Sequence, residues 1–318
     1  MNNYSWLQQI LHKFALSSNF MRTVSFDVEN LLTSETEEFD NHVFITGLAR
    51  SGSTILLNAL YESKIFSSLL YKDMPFVLAP NLWSKLSFIN KDIDLVERSH
   101  GDGIEISLES PEAFEEVFWK TFKDKRDDSI RKFQKYINLI NTKNKKNRYL
   151  SKNNQNIDRI ELINRIFPKS KILILYRNPI QQSNSLLTQH KRFIKASEKD
   201  KFISNYMNLI GHTEFGPNYI PINKKEIKFD NNFELNHWIE QWYLTYRNCF
   251  NAFRANKNIH FVCYEDLCGS KDYWIKILRM LNIEIIYDFD FKESRNEIDS
   301  RFDDDLLNKA LNIYSKLS

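Results

Sequence analysis

The stretch His42-Val-Phe-Ile-Thr-Gly-Leu-Ala-Arg-Ser-Gly-Ser-Thr54 decides how this chain is read. Its opening residues form a short apolar run that predicts a buried strand. Gly47 then breaks the run into a turn of small residues, and the apolar stretch Ile55 to Leu60 predicts a helix. A turn that enters a helix leaves the first backbone N–H groups of that helix without intrahelical partners, all aimed at one point. Such a point receives a phosphate or a sulfate. Only seven glycines occur in the chain, so two of them, Gly47 and Gly52, in one turn carry weight.

The spacing Gly-x-x-x-x-Gly followed by Ser-Thr nearly matches the Walker A loop of nucleotide triphosphatases. Ser53 stands where the Walker lysine belongs, and a cation comes earlier, at Arg50. That displacement points away from Mg-nucleotide hydrolysis and towards a different phosphate-handling enzyme. An atypical P-loop kinase or nucleotide hydrolase is one alternative. A non-catalytic nucleotide- or glycan-binding module is another.

The whole chain sets further bounds. Its 318 residues are 42% hydrophobic and 14% aromatic, enough for a packed core of one large domain or two small ones. With 44 basic and 41 acidic residues the formal net charge is +3, which is compatible with an anionic ligand and does not argue for a nucleic-acid binder, where a strongly basic face is expected. Cys249, Cys263 and Cys268 form no C-x-x-C pair and no disulfide framework, which fits a reducing compartment. No apolar run reaches 18 residues and the N-terminus lacks a secretory core, so a cytoplasmic protein without a transmembrane segment is expected.

Two more continuous apolar runs, Lys171 to Tyr176 and Ile259 to Tyr264, have the non-alternating pattern of parallel strands buried on both faces. Helical spacing recurs at Ile157 to Phe167, at Leu235 to Phe253 and from about Tyr273 to Leu281. The aromatic stripe Trp238, Trp242, Tyr246, Phe250 in the second of these reads as core. Ser110-Pro111-Glu112 reads as a helix start, and residues 141–156, rich in Asn and Lys, read as an exposed loop. Strands alternating with helices predict a three-layer α/β/α fold with a central, mostly parallel sheet and P-loop-like topology. The expected organisation is a helical lead-in over 1–40 and one α/β domain over 41–290. Insertions at about 70–125 and 195–235 would shape an acceptor pocket, and a helical tail would cover 291–318.

The second apolar strand ends in Tyr176-Arg177-Asn178-Pro179, where Asn178 suits an N-cap and Pro179 the first helical position. Arg177 therefore falls at the carboxyl end of a parallel strand, where open α/β sheets bind ligands. Ser185 follows eight positions later on the helix. A guanidinium beside a hydroxyl suits a second phosphate group.

Arg50-Ser-Gly-Ser-Thr54 after a strand, together with Arg177-Asn-Pro and Ser185, resembles the sulfotransferases that use 3′-phosphoadenosine 5′-phosphosulfate (PAPS). The resemblance covers roughly residues 42–280. It implies PAPS as sulfuryl donor, no metal requirement, and a glycan or small-molecule hydroxyl as acceptor. It implies that Arg50, Ser51, Gly52, Ser53 and Thr54 hold the 5′-phosphosulfate and that Arg177 and Ser185 hold the 3′-phosphate. Tyr264-Glu-Asp-Leu267 and Lys152 resemble further recurrent positions of the family, and Tyr264 is a candidate to face the adenine. Asn178 replaces a more usual Asp without loss of capping.

Charge develops on the leaving phosphate during sulfuryl transfer, and Arg50 is the cation placed to bridge that oxygen. A hydroxyl acceptor also benefits from a general base. Family members draw it from the segment some twenty residues beyond the first loop, which makes Asp73 the first candidate and His100, in Ser99-His-Gly-Asp-Gly103, the second. His190 reads as a surface or supporting residue. Oligomeric state is not legible.

Overall fold

Strand β1, Val43–Thr46, is fully buried because it lies in the middle of a sheet with an apolar layer on each face. A computed structural model describes residues 6–33, 39–86, 96–97, 105–123, 126–293, 295, 297–298 and 300–317 of the chain. The lead-in consists of α1 (Trp6–Ser17) and α2 (Asn19–Leu32). After β1 come α3 (Ser53–Tyr61), β2 (Phe66–Ser67) and α4 (Pro80–Leu86). A small antiparallel pair, β3 (Val96–Glu97) and β4 (Glu105–Ile106), precedes α5 (Glu116–Phe122) and α6 (Arg126–Asn144). The chain continues with β5 (Arg148–Lys152), α7 (Ile160–Ile166), β6 (Lys171–Tyr176), α8 (Pro179–Lys199) and α9 (Lys201–Leu209). It closes with α10 (Leu235–Phe253), β7 (Ile259–Cys263), α11 (Tyr264–Gly269), α12 (Lys271–Met280) and α13 (Asp304–Leu317).

The central sheet runs β2-β5-β1-β6-β7 and every pairing in it is parallel. Alternate side chains leave opposite faces of a strand, and the two cores follow that alternation. Val43, Ile45, Leu150, Leu173 and Leu175 pack with Leu56, Leu57 and Leu60 of α3 and Trp274 and Leu278 of α12. Phe44, Tyr149, Ile172, Ile174 and Tyr176 pack with α5, α6, α8, α10 and α13 through Phe118, Phe133, Leu186, Trp242 and Ile313. The expected three-layer α/β/α architecture is the one observed. The helix leaving β1, α3, packs on one face of the sheet, whereas α7 and α8, which leave its neighbours β5 and β6, pack on the other, and the carboxyl ends of strands at such a switch point form a ligand crevice. Ala15, Leu16 and Phe26 of the lead-in and Ala310 of α13 join the larger core. Among the described residues no helix is long and apolar enough to cross a membrane.

Two local expectations are corrected. Residues 141–156 are not an exposed loop: they finish α6, form β5 and turn through a 3-10 segment, Asn154–Arg159. Tyr149 to Asn154 are buried there because β5 lies between β2 and β1. Ser110-Pro111 does not start a helix either. Pro111 bridges Leu70, Glu112 N donates to Leu69 O, and α5 begins five residues later, although Phe114, Val117, Phe118 and Phe122 do face the core as the spacing predicts.

Candidate active site

The turn after β1 is shaped by two glycines that no other residue could replace in place. Gly47 has φ 134°, and a Cβ on it would fall on the backbone carbonyl of Leu175 in β6. Gly52 has φ 91° and lies under the ring of Tyr264, the first residue of α11. Arg50 takes the left-handed conformation with φ 68°, a strain of roughly 1–2 kcal/mol for a residue with a side chain. Gly52 is the N-cap of α3 and contributes no side-chain cap, so the first N–H groups of α3 remain for a ligand. The positive end of the helix dipole points the same way.

The turn is tied to β6 and α8 by one amide. Gln182 Nε2 donates to Leu48 O and to Ala49 O, both at 3.1 Å. Gln182 Oε1 accepts from Trp242 Nε1 at 2.9 Å and from Arg177 N at 3.3 Å. Tyr246 completes the clamp: its hydroxyl donates to Leu175 O at 2.6 Å and accepts from Leu48 N at 3.2 Å. Burial pushes that phenol well above its ordinary range, so it stays a neutral donor. The aromatic stripe of α10 is core, as its spacing predicts, but its polar tips hold the loop.

Arg177 lies at the end of β6, next to that turn. Its side chain is 8% exposed, and its Nε is buried with no hydrogen-bond partner; the nearest carboxylate oxygen, Glu265 Oε1, is 3.8 Å away. Glu265 Oε1 is taken by Asn178 N at 2.9 Å instead. Asn178 caps α8 by accepting from Gln181 N, as its position predicts. One turn further, Ser185 Oγ accepts from Arg50 Nε at 3.0 Å. The structure thus brings Arg50, Ser51, Gly52, Ser53, Thr54, Arg177 and Ser185 to the adjoining carboxyl ends of β1 and β6. Ser51 Oγ is a second buried polar atom there without a partner.

On the other side of β1, the end of β5 carries a polar group of residues. Ser53 Oγ donates to Asn154 Oδ1 at 3.3 Å, and Thr46 Oγ1 donates to Asn154 O at 3.2 Å. Asn153 Nδ2 donates to Glu116 Oε2, and Arg159 holds both oxygens of Glu116 at 2.7 and 2.8 Å. Burial raises the Glu116 carboxyl, with Arg159 opposing.

The family model for the sulfotransferase family matches residues 42–286, most of the chain. The chain belongs to the sulfotransferase family. Among solved structures, sulfotransferase STF1 of Mycobacterium tuberculosis H37Rv is 12% identical with TM-score 0.48, over 99% of this chain and 82% of that one. Sulfotransferase STF9 of Mycobacterium avium is 10% identical with TM-score 0.47, over 99% and 79%. A sulfotransferase of Alicyclobacillus acidocaldarius is 14% identical with TM-score 0.41, over 87% and 92%. No curated protein matches the chain.

The remaining described candidates of this sulfotransferase, Asp73 and Tyr264, are engaged in contacts that hold loops in place. Asp73 is 1% exposed at the end of a 3-10 turn; Asp73 Oδ2 accepts from Leu70 N at 2.9 Å and Oδ1 pairs with the buried Lys143. Burial raises its carboxyl and Lys143 opposes that rise. Both of its oxygens are thus engaged in holding the turn to α6. His100 lies outside the described residues. Tyr264 is 3% exposed, with its ring against Gly52 and its hydroxyl donating to Lys292 O at 3.0 Å, so it braces the loop. His190 is buried rather than at the surface, and its Nδ1 accepts from Gly216 N at 3.0 Å. Gln182, Trp242, Tyr246 and Asn154 were not legible as site residues: a glutamine within a helix and an asparagine in an Asn-rich run carry no motif.

Proposed function

We propose that this sulfotransferase moves a sulfuryl group from PAPS to a hydroxyl of a glycan or small-molecule acceptor. The supporting observation is the pair of buried, unpartnered donors at adjoining strand ends, Ser51 Oγ and Arg177 Nε, beside the uncapped start of α3. A buried polar group without a partner costs about 1–3 kcal/mol, which a bound anion would offset. Two such donors on neighbouring strands fit a ligand with two anionic groups. PAPS supplies a sulfuryl group activated by a phosphate leaving group.

The backbone N–H groups from Ser51 to Thr54 and the hydroxyls of Ser53 and Thr54 would hold the 5′-phosphosulfate. Arg177 and Ser185 would hold the 3′-phosphate. Arg50, rigid in its left-handed conformation and in contact with Ser185, would place its guanidinium on the oxygen where negative charge grows. The tie from Gln182 to both loops supports a site that is formed before the donor arrives, as electrostatic stabilisation of this kind requires. Three free thiols are consistent with chemistry in the cytoplasm.

Thermal unfolding with adenosine 3′,5′-bisphosphate, in a chelator and without added metal, tests the donor assignment. Ligand at 100 times its dissociation constant adds about 2.7 kcal/mol of stability and raises Tm accordingly. A response to Mg-ATP and none to the bisphosphate would overturn the assignment. A screen of hydroxyl compounds with sulfur-labelled donor then identifies the acceptor class.

A further inference from the structure

The donor end does not name the group that takes the acceptor's proton, and the turn between α9 and α10 brings one to the right place. Ser53 is the first residue of α3, and its hydroxyl donates to Asn154 Oδ1. The amide nitrogen of the same Asn154 donates to Glu214 Oε1 at 3.4 Å. One side chain therefore separates the Glu214 carboxylate from the phosphosulfate loop.

Three elements fix that turn in position. Gln155 Nε2, just past β5, donates to Gly211 O at 2.5 Å. Gly211, with φ 77°, lies so close to Glu116 of α5 that a Cβ on it would strike the Glu116 side chain. Gly216 N donates to His190 of α8 at 3.0 Å. Glu214 is consequently held against the end of β5 by contacts to β5, α5 and α8.

The neighbouring carboxylates are committed elsewhere. Glu115 is 1% exposed and accepts from Trp119 Nε1, Asn156 Nδ2 and Tyr149 OH. Glu116 is clasped by Arg159 and Asn153, and Asp73 by Lys143 and Leu70 N. Glu214 differs: its side chain is 15% exposed, and its oxygens accept from an amide and a backbone N–H rather than being clasped by a lysine or an arginine. Oε2 accepts from Thr213 N at 2.9 Å and lies 3.2 Å from His212 Nδ1. The charged groups that act on it are His212 from its own turn and Glu116 from α5, whose own charge is paired with Arg159.

We propose that Glu214 is the general base of the transfer, a role that rests on the sulfuryl-transfer reading above. The acceptor oxygen bonds to sulfur while the bond from sulfur to the 5′-phosphate oxygen breaks. The electron pair of the broken bond leaves with adenosine 3′,5′-bisphosphate, and the acceptor's proton passes to Glu214 Oε1. Glu214 returns that proton to water once the products have left. The Asn154 amide bridges the base and Ser53, so the proton acceptor and the donor loop keep a fixed spacing.

The test uses Glu214→Gln and Glu214→Asp in the full chain. Turnover is read as adenosine 3′,5′-bisphosphate formed from PAPS with a panel of probes: a phenol, an aliphatic alcohol and a hexose. Donor binding is read separately, as the thermal shift with the bisphosphate. Glu214→Gln keeps the thermal shift, lowers kcat on the order of 10²–10⁴-fold, and loses the acid limb of the kcat–pH profile. Glu214→Asp, with the carboxylate retained, gives an intermediate rate and keeps the acid limb. Near-wild-type kcat in Glu214→Gln overturns the proposal. So does a fall in kcat with the acid limb intact, which would make Glu214 a purely structural group. A wild-type protein that gives no shift with the bisphosphate removes the sulfuryl-transfer reading, and this proposal with it.

Discussion

Arg50 Nε donates to Ser185 Oγ at 3.0 Å, so a side chain from the β1 turn reaches the helix that follows β6. The turn after β1 and the start of α8 are therefore linked by a cation held at a strained backbone position. Under the proposed function this strain falls at a catalytic position, a feature that selection for stability alone would remove.

Arg50→Gly separates the two roles of that residue. Glycine takes the left-handed conformation freely, recovering roughly 1–2 kcal/mol of strain, against about 0.5–1 kcal/mol of extra chain entropy. The variant is expected to unfold at or slightly above the wild-type denaturant midpoint. Its kcat should fall on the order of 10²–10³-fold, the usual loss for one donor at a developing anion. A variant both stable and active would show that Arg50 does not meet the leaving oxygen.

Gln182→Leu should harm donor binding without touching the donor. The substitution leaves Leu48 O, Ala49 O, Trp242 Nε1 and Arg177 N without the partner they share. Each orphaned buried group costs about 1–3 kcal/mol, partly relieved at Trp242 Nε1 by the Arg177 carbonyl. A midpoint lowered by several kcal/mol, with weaker bisphosphate binding in the molecules that remain folded, is the expected result. Unchanged affinity would mean that the loop is positioned by α3 alone.

Asp73→Asn is expected to act on stability more than on turnover. Removing one partner of a buried ion pair strands the other charge, here on Lys143, at a cost of about 3–5 kcal/mol. Activity per folded molecule, corrected by active-site titration with bisphosphate, should stay near wild type. A stable variant with abolished turnover would instead return Asp73 to the role of general base.

Two histidines make the protein acid-sensitive. His42 Nδ1 accepts from Tyr149 N and His190 Nδ1 accepts from Gly216 N, so a proton on either nitrogen would face another N–H. Burial lowers both imidazoles from 6.5 to about 4. The unfolded chain therefore binds protons that the native state refuses, and stability present above pH 6.5 is lost as pH falls towards about 4. Both residues contribute to that loss. Urea unfolding across this range should show the decline. His42→Asn, which keeps an acceptor for Tyr149 N, should flatten it, and an equally steep decline in that variant would place the sensitivity elsewhere.

Three strands of the sheet were legible because they are continuous apolar runs buried on both faces: β1, β6 and β7. The phosphate-binding pattern was legible because backbone geometry demands glycine at 47 and 52. Strand β5 was hidden by its composition. Arg148, Ser151 and Lys152 read as a solvated run, yet the strand is central, and the polar residues at its end serve the crevice. Glu214, the proposed base, was illegible for a related reason. Glu214 meets Asn154 only because a turn 60 residues downstream folds back over β5, and no local spacing records that contact.

One consequence of the Gln182 tie concerns insertions and deletions. Asn178, Gln182 and Ser185 stand on the first two turns of one helix, each with a different partner: the cap, the β1 turn and Arg50. Adding or removing one residue between 178 and 185 rotates everything beyond it by about 100° around the helix axis. Ser185 would then leave Arg50 even if every side chain were kept. This segment should therefore tolerate substitution far better than a change in length, because the eight-residue step from Arg177 to Ser185 keeps Ser185 on the side of the helix that faces Arg50.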